Sequence, residues 1–256
     1  MSTPTKPTIQ FDFAEDAEMR RAAERSRESF RYFIREAFWE GRRLVPGLDL
    51  MLVKAAFAEV PIHPDGPEFM WIDEVRFDGR SIEGVLINQP FRINGVGEGD
   101  EIVMPMEHLI DWLISADDEA YGGFTVDVLR SRMSEAERIE HDEAWGLQFA
   151  APGKVRLFPT EPITIRSSQP DHPIALHVSE QLEQFCLDHP DRVSTPDPSG
   201  WTMLHAYTLA GSPLCVETLL QRRADRTART PEGLRAVDIA KTLGWSELVD
   251  LLGNDG

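Results

Sequence analysis

Apolar side chains recur at helical spacing along residues 16–38, with Arg and Glu between them. A period of 3.6 residues predicts one long amphipathic helix whose apolar stripe faces a protein core. Aromatic rings in the stripe could also line a ligand groove, but core packing is the commoner reason for such a pattern. The apolar positions are Met19, Ala22, Ala23, Phe30, Phe33, Ile34, Ala37 and Phe38.

From residue 50 the apolar pattern shortens to that of strands, which we expect over residues 52–57, 69–77, 81–88 and 101–105. The second and third of these strands are separated only by a short turn-forming segment. The chain therefore begins with a helix followed by a sheet.

Short connecting segments decide how the strands are joined. Asp78 and Gly79 predict a hairpin with a type I′ turn, because both residues accept the positive φ that this turn requires. The glycine-rich segment 95–100 fits neither the Walker spacing nor the dinucleotide-binding pattern, so we expect a loop that leads into the fourth strand. Residues 106–114 predict a short helix, and residues 121–130 predict a last strand whose two glycines allow a bulge.

The C-terminal part contains two stretches that match each other at an offset of 33 residues. This pattern resembles the ankyrin repeat family, which has that period. The resemblance implies stacked helix–turn–helix units, whose loops and concave face bind other proteins. Residues 171–192 are expected to form a degenerate leading unit before two full repeats. The matching pairs are Gly200 and Gly233, His205 and Asp238, Gly211 and Gly244, and Val216 and Val249.

The resemblance also indicates where a partner would bind. In the family, the hairpin tips and inner helices make most partner contacts, and Trp201 is the strongest candidate because aromatic anchors dominate binding energies. Packing of Trp201 against the neighbouring repeat is an equally good reading. The expected partner-binding residues are Ser199, Trp201, Leu209, Glu232 and Leu234.

Two departures from the repeat pattern carry expectations of their own. Tyr207 stands where the family favours Ala, and we expect it to fill a gap against the N-terminal part. Arg223 stands where the family favours Gly, so it needs a less comfortable backbone or a different turn.

A second resemblance covers approximately residues 20–158, which look like the YegJ-like domain, a small bacterial family of unknown function. This resemblance implies a compact α+β domain built on an antiparallel sheet, with no established activity to transfer. The motifs are Phe69–Ile72, Gly84–Pro90, Gly99–Asp100, Asp111–Leu113 and Tyr121–Arg130.

The expected fold class is therefore α+β: a small antiparallel-sheet domain with a long N-terminal helix, followed by an all-α ankyrin repeat domain. We expect the first domain over residues 1–160, a linker over 161–170 and the repeats over 171–256. Short ankyrin arrays rarely bury a continuous core alone, so the repeats should lean on the first domain in a fixed arrangement.

The charge of the chain narrows the class of partner. Lys and Arg number 26 against 44 Asp and Glu, which gives a net charge of −18. Such a charge repels phosphate backbones and anionic lipid, so neither nucleic acid nor a membrane is an expected ligand. The N-terminus lacks the apolar run of a secretory signal, and we expect a cytoplasmic protein. Cys186 and Cys215 are expected to be buried free thiols.

No residue pattern points to a metal, a cofactor or covalent catalysis. Histidines with metal-ligand spacing, Cys-x-x-Cys and Gly-x-Ser-x-Gly are all absent from the sequence. Asp111, Trp112, Tyr121 and Thr125 are the best candidates for a polar and aromatic pocket, although core packing of Trp112 and local capping by Asp111 explain them more simply.

We therefore expect a non-enzymatic protein that binds another protein through a composite surface of both domains. One specific hypothesis is an immunity protein that neutralises a basic bacterial toxin, since opposite charges promote association. The alternative is a small-molecule-binding or catalytic YegJ-like domain that the repeats recruit to partners.

Overall fold

The computed structural model describes residues 15–58, 66–158, 163–164 and 170–253. The N-terminal segment and most of the predicted linker lie outside the described residues. In the sections below, the sheet part means residues 15–158 and the helical part means residues 171–253.

The first helix, α1 (Ala17–Glu40), confirms the predicted amphipathic segment. Asp16 caps it, because the Asp16 carboxylate accepts hydrogen bonds from the backbone N–H groups of Glu18 and Met19. The apolar stripe of α1 is buried, and the rings of Phe30 and Phe33 are fully covered.

Six strands form one antiparallel sheet in the order β4-β3-β2-β1-β5-β6. Its apolar side packs on α1, where Phe33 lies against Trp112 with 6.1 Å between ring centroids. The strands are β1 (Leu50–Phe57), β2 (Glu68–Phe77), β3 (Ser81–Leu86), β4 (Glu101–Pro105), β5 (Leu109–Ala116) and β6 (Glu119–Gly122). The four strands predicted first are confirmed, although β3 ends earlier than expected.

The predicted helix over residues 106–114 is wrong. Only Met106–His108 form a turn of 3-10 helix, and β5 follows directly. Nearly every side chain of β5 is buried, because the strand lies inside the sheet with both faces covered. A short, continuously apolar run of this kind does not distinguish a strand from a buried helix.

The predicted strand over residues 121–130 is also wrong beyond its start. The strand β6 stops at Gly122, and the helix α2 (Phe124–Ser131) follows. Gly122 and Gly123 have φ values of 77° and 70°. Two successive residues with positive φ turn the chain out of the strand. Glycine adopts this left-handed conformation at little cost.

The β2–β3 hairpin is confirmed, but its turn is not type I′. Within the described turn only Gly79 has a positive φ, at 92°, whereas type I′ requires two such residues. A single positive φ at the first central position is typical of type II′.

The second face of the sheet is partly covered by α3 (Glu135–Trp145), which the sequence reading missed. Trp145 of this helix packs edge-on against Trp71 of β2, with 5.6 Å between the ring centroids. A short strand pair, β7 (Ile163–Thr164) and β8 (Pro170–Asp171), then leads to the helical part.

Five helices make up the helical part, and the last four repeat in pairs. The helices α5 and α7 begin 33 residues apart, as do α6 and α8. The bounds are α4 (Pro173–Asp188), α5 (Met203–Leu209), α6 (Pro213–Gln221), α7 (Ala236–Leu243) and α8 (Ser246–Gly253).

Both departures from the repeat pattern behave as expected. Tyr207 packs against Phe38 and Trp39 of α1, with ring centroids 5.7 and 6.2 Å away. Arg223 has a φ of 62°, in the left-handed region that glycine normally occupies.

The two parts share their cores through α1. Trp39 of α1 is fully buried among the apolar residues of the helical part. In return, Leu234, Ile239 and Leu243 join the core between α1 and the sheet. This packing agrees with the expectation that the helical units lean on the sheet part.

Cys186 and Cys215 are buried and free, as predicted. Burial raises the pKa of the Cys215 thiol to about 12, so this thiol stays protonated. Within the described residues, none of the helices combines the length and the apolar character that a membrane crossing requires.

Candidate functional site

Three turns from different parts of the chain lie side by side. A Cβ atom at Gly79 in the β2–β3 turn would lie 2.7 Å from Leu234 Cδ1. A Cβ atom at Gly200 would lie 2.7 Å from the ring of Pro231. The β2–β3 turn therefore contacts the turn at residues 230–234, which we call the second tip. The second tip in turn contacts the turn at residues 197–201, the first tip. We call residues 78–80, 197–201 and 230–234 the turn ridge.

The two tips on the ridge have the same backbone hydrogen bond. Asp197 N–H donates to Trp201 O at 2.8 Å, and 33 residues later Thr230 N–H donates to Leu234 O at 2.9 Å. Gly200 and Gly233 sit at equivalent points with φ values of 84° and 80°. The sequence repeat is thus also a repeat in local backbone structure.

The first tip is held in shape by the Asp197 carboxylate. It accepts hydrogen bonds from the Ser199 hydroxyl at 2.6 Å, from Ser199 N–H at 2.9 Å and from Trp201 N–H at 3.0 Å. The bond from the Ser199 hydroxyl contributes most to a pKa of Asp197 below its usual range. A tip braced in this way loses little conformational freedom when it binds a partner.

His205 connects the first helical pair to the loop before the second tip. Its Nδ1 accepts a hydrogen bond from Thr202 N–H at 3.1 Å, which leaves Nε2 to donate to Ala228 O at 3.0 Å. Burial lowers the pKa of His205, which favours this neutral form.

The predicted partner-binding residues fall into two groups. Ser199 is exposed and Glu232 is half-buried on the ridge. Trp201 is half-buried on the ridge too, but it also packs on the edge of the core between α1 and the sheet. Leu234 is only 7 % exposed and belongs to the core against α1 and the sheet, while Leu209 packs on the edge of that core. Leu234 is therefore an internal contact and not a free surface position, because the sheet part covers the inner side of the helical units.

Asp111 is fully buried and acts as a cap for α2. Its carboxylate accepts hydrogen bonds from the N–H groups of Trp112, Phe124 and Thr125 and, at 2.6 Å, from the Thr125 hydroxyl. Lys54 lies opposite it in the strand register. Burial raises the pKa of Asp111, and the hydrogen bonds from Thr125 and the charge of Lys54 oppose that rise.

The four predicted pocket residues do not converge on one site. Asp111 and Thr125 bond to each other, whereas Trp112 Nε1 donates to Ser26 O at 3.1 Å on α1. Tyr121 donates its hydroxyl hydrogen bond to Glu119 at 3.0 Å. All four side chains are buried. The simpler reading of Asp111 as a cap and Trp112 as a core residue agrees with this geometry.

Residues 16–149 match the bacterial family described as "Uncharacterized protein conserved in bacteria (DUF2314)". The match covers more than half of the 256 residues. The chain belongs to the DUF2314 family. Its DUF2314 domain contains α1, the whole six-stranded sheet, α2 and α3.

Two relatives extend this assignment. The chain is 37 % identical over 237 residues to "Putative ankyrin repeat protein NMB1133/NMB1171" of Neisseria meningitidis serogroup B (strain ATCC BAA-335 / MC58). The match covers 93 % of this chain and 93 % of the relative. It is 33 % identical over 82 residues to "Uncharacterized protein YegJ" of Escherichia coli (strain K12), covering 32 % of this chain and 50 % of YegJ. The resemblance to YegJ is thus confirmed.

A buried polar network joins the DUF2314 domain to the helical part, and the sequence reading missed it. His172 Nε2 lies 3.2 Å from Glu36 Oε2, and the His172 ring stacks on Trp39 at 5.2 Å. The neighbouring Asp171 accepts hydrogen bonds from the Ser212 hydroxyl at 2.9 Å and from Leu214 N–H at 3.1 Å. These residues are far apart in sequence and follow no motif, so only the fold reveals their association.

A cavity of about 190 Å³ also lies between α1 of the DUF2314 domain and the starts of α6 and α8. Arg31 and Tyr32 of α1 face Trp245 and Glu247 across it. Arg31 stacks on both rings, with its guanidinium carbon 5.0 Å from the centre of Tyr32 and 5.6 Å from that of Trp245. Burial raises the pKa of Glu247 to about 7, and the nearby Glu217 and Asp171 carboxylates add to the rise.

Proposed function

We propose that this chain is a non-enzymatic protein that binds another protein through the turn ridge, a surface built by both the DUF2314 domain and the helical part. The observation that carries the proposal is the alignment of the three turns. Gly79 packs on the buried Leu234 and Gly200 packs on Pro231, so the exposed residues of the three turns, Arg80, Ser199 and Pro231, are available together to one partner.

The helical pairs are, in this proposal, ankyrin repeats. The 33-residue offset of the helices and of the tip hydrogen bonds supports this, as does the name of the Neisseria relative. Repeat arrays of this kind present extended surfaces for binding. The DUF2314 domain would then act both as a support for a short array and as one side of the binding surface.

The net charge of −18 favours a basic partner. Charge complementarity of this sort speeds association and selects against other acidic proteins. We propose a cytoplasmic immunity protein, which neutralises a basic toxin, as the specific role. Co-expression with a candidate toxin tests that role: protection of the cells and a stable complex support it, and continued toxicity without a complex contradicts it.

Affinity capture from the native host's lysate tests the wider proposal. Wild type is compared with Ser199→Tyr and Arg80→Tyr, which each add a bulky ring at an exposed ridge position, and with Ala144→Tyr, a matched change on the exposed side of α3. We expect one stoichiometric partner with wild type and Ala144→Tyr, and at least tenfold less of it with either ridge variant. Equal capture by all four proteins, or no stoichiometric partner, would contradict the proposal.

The cavity between α1 and the starts of α6 and α8 supports a second candidate function, binding of a small molecule. Its arginine, aromatic and carboxyl groups are the mixture of polar and apolar groups found in ligand sites. A thermal-shift screen with a metabolite library, on wild type and Trp245→Ala, tests this function. A ligand that raises the melting temperature of wild type only would favour it over the ridge.

A further inference from the structure

A second cavity, of about 210 Å³, opens in the sheet part beside the C-terminal end of α1. Its floor is apolar and is formed by Phe33, Met51 and Val75. Three acidic residues also line it: Asp73, Glu74 and Glu40, whose carboxylate is engaged by Gly47 N–H and by Arg43. No Lys or Arg is among its lining residues. We call this cavity the acid-rimmed pocket.

A bulge in β2 forms one side of the acid-rimmed pocket. The pairing of β2 with β3 shifts between Asp73 and Arg76, and Glu74 has a φ of 52°. Its N–H donates to Asp73 Oδ1 at 2.7 Å. The bulge brings two successive carboxylates, Asp73 and Glu74, to the same rim, whereas a regular strand would send them to opposite faces.

A loop with exposed apolar residues adjoins the pocket. Residues 41–49 leave the rim at Gly41 and return to the pocket at Met51 of β1. Within this loop Leu44 is fully exposed and Val45 is 77 % exposed. The loop is fastened at its base, because Glu40 Oε1 accepts a hydrogen bond from Gly47 N–H at 2.7 Å. Two adjacent apolar side chains on a fastened loop are a surface that a protein partner can cover.

We propose that the acid-rimmed pocket receives a lysine or arginine side chain of the protein partner, and that aliphatic residues beside that side chain cover Leu44 and Val45. The inference rests on the proposed function and names the chemistry of the partner. A long basic side chain fits both features of the pocket, since its methylene stem can pack on the apolar floor while its charged head meets the carboxylates.

The charged residues around the acid-rimmed pocket also favour a basic side chain as its occupant. Both arginines of the loop are engaged elsewhere. Arg42 donates to Phe38 O at 2.9 Å, and Arg43 forms an ion pair with Glu40, with 3.4 Å between its Nε and Glu40 Oε2. Asp73 and Glu74 therefore remain to attract a further cation. The pocket is also close to the turn ridge, because Glu74 precedes Asp78 by four residues, or roughly 13 Å of extended chain. One partner can reach both.

Peptide selection tests the proposal without knowledge of the partner. Random heptapeptides displayed on phage are selected against the full chain, and the enriched peptides are measured by fluorescence polarisation. Two pocket variants are compared with wild type: Asp73→Asn with Glu74→Gln, and Leu44→Ser with Val45→Ser. Their matched controls are Glu140→Gln with Glu143→Gln on α3, and Leu176→Ser with Leu187→Ser on α4, all at exposed positions.

We expect the selected peptides to contain one Lys or Arg next to aliphatic residues. Both pocket variants should bind these peptides at least tenfold more weakly than wild type, and both control variants should bind them with the affinity of wild type. Replacing the basic residue of the peptide by norleucine should cost at least tenfold as well. Failure to enrich peptides, a selected motif without a basic residue, or equal binding by the pocket variants would overturn the proposal.

Failure of the pocket proposal can be distinguished from failure of the proposed function when the pocket variant is included in the lysate capture. A partner that is captured in a ridge-dependent manner, but equally well by the Asp73→Asn with Glu74→Gln variant, would leave the proposed function intact and refute the acid-rimmed pocket. Equal capture by wild type and the ridge variants, or no stoichiometric partner at all, would refute the proposed function itself.

Discussion

At the scale of single residues, buried polar groups hold the sheet part together. Asp111 lies thirteen residues before Phe124 in sequence, yet it supplies the cap for the first turn of α2. The preceding residue, Gly123, has no side chain that could cap the helix. The cap is therefore a tertiary contact, and its loss should be costly.

We predict that Asp111→Ala lowers the free energy of unfolding by about 2–4 kcal/mol. The change leaves the N–H groups of Phe124 and Thr125 buried without an acceptor, and each such group costs about 1–3 kcal/mol. Urea denaturation measures the effect, with Glu143→Ala on the exposed side of α3 as the control. A loss below about 1 kcal/mol would show that the cap contributes little.

Glu247 should give the chain a pH-dependent stability. Its pKa in the folded protein is raised to about 7 from the usual 4.5. Between these values the folded protein keeps a proton that the unfolded chain has lost, so stability falls as the pH rises through this window. Glu247→Gln should remove that part of the pH dependence.

The expected result for Glu247→Gln is a higher melting temperature than wild type at pH 8 and an equal one at pH 4.5. After allowance for solvent screening we expect a gain of about 1–2 kcal/mol at pH 8, or roughly 2–8 °C for a chain of this size. Differential scanning calorimetry on both proteins and on Glu180→Gln, an exposed control, measures it. Parallel curves for Glu247→Gln and wild type would contradict the prediction.

Predictions about single residues were correct where they depended only on the local sequence pattern. The strained backbone of Arg223 and the gap-filling position of Tyr207 follow from departures from the repeat pattern, which the sequence displays directly. The burial of Leu234 and the association of Glu36 with His172 depend on how the sheet part docks, and no local pattern carries that information.

At the scale of elements, long periodic segments could be predicted and short buried ones could not. Each of the elements α1, β3 and β4 buries one face, so its apolar residues recur with the clear period of a helix or a strand. The strand β5 is buried on both faces and loses its period. The helix α3 was missed although Ser134 and Glu137 form a capping box, a signal that the sequence does carry.

The end of α6 offers a test of the repeat geometry. Ala224 N–H donates to Leu219 O and Arg223 N–H donates to Leu220 O, a pattern that usually has glycine at the position of Arg223. We predict that Arg223→Gly raises the free energy of unfolding by roughly 0.5–1 kcal/mol, because glycine removes the strain of the left-handed conformation.

Arg222→Gly is the control for that change, and it also removes the ion pair of Arg222 with Glu183. Arg222 has a φ of −93°, so glycine relieves no strain there and increases the entropy of the unfolded chain. It should therefore destabilise the protein in the same denaturation experiment. Destabilisation by Arg223→Gly of the same size would contradict the proposed backbone strain.

At the scale of the whole molecule, the two parts are joined by α1 and by the β2–β3 turn. Gly79 and Gly99 have nearly equal φ values of 92° and 90°, but only a Cβ at Gly79 would meet the helical part, at 2.7 Å from Leu234 Cδ1. Comparing alanine at the two positions separates backbone strain from contact between the parts.

We predict that Gly79→Ala costs about 1–3 kcal/mol more than Gly99→Ala, since the added methyl group overpacks the contact with Leu234. Thermal unfolding of wild type should also give one transition, because the cores share residues from both parts. Equal costs for the two variants, or two separate transitions in wild type, would show that the parts are energetically independent.

The central claim, that a protein partner binds the turn ridge, is tested most directly by hydrogen–deuterium exchange of the full chain with and without its captured partner. We predict slower exchange in the complex for peptides covering residues 78–80, 197–201 and 230–234 together. Protection confined to other surfaces, such as α3, or no change at these three turns, would contradict it.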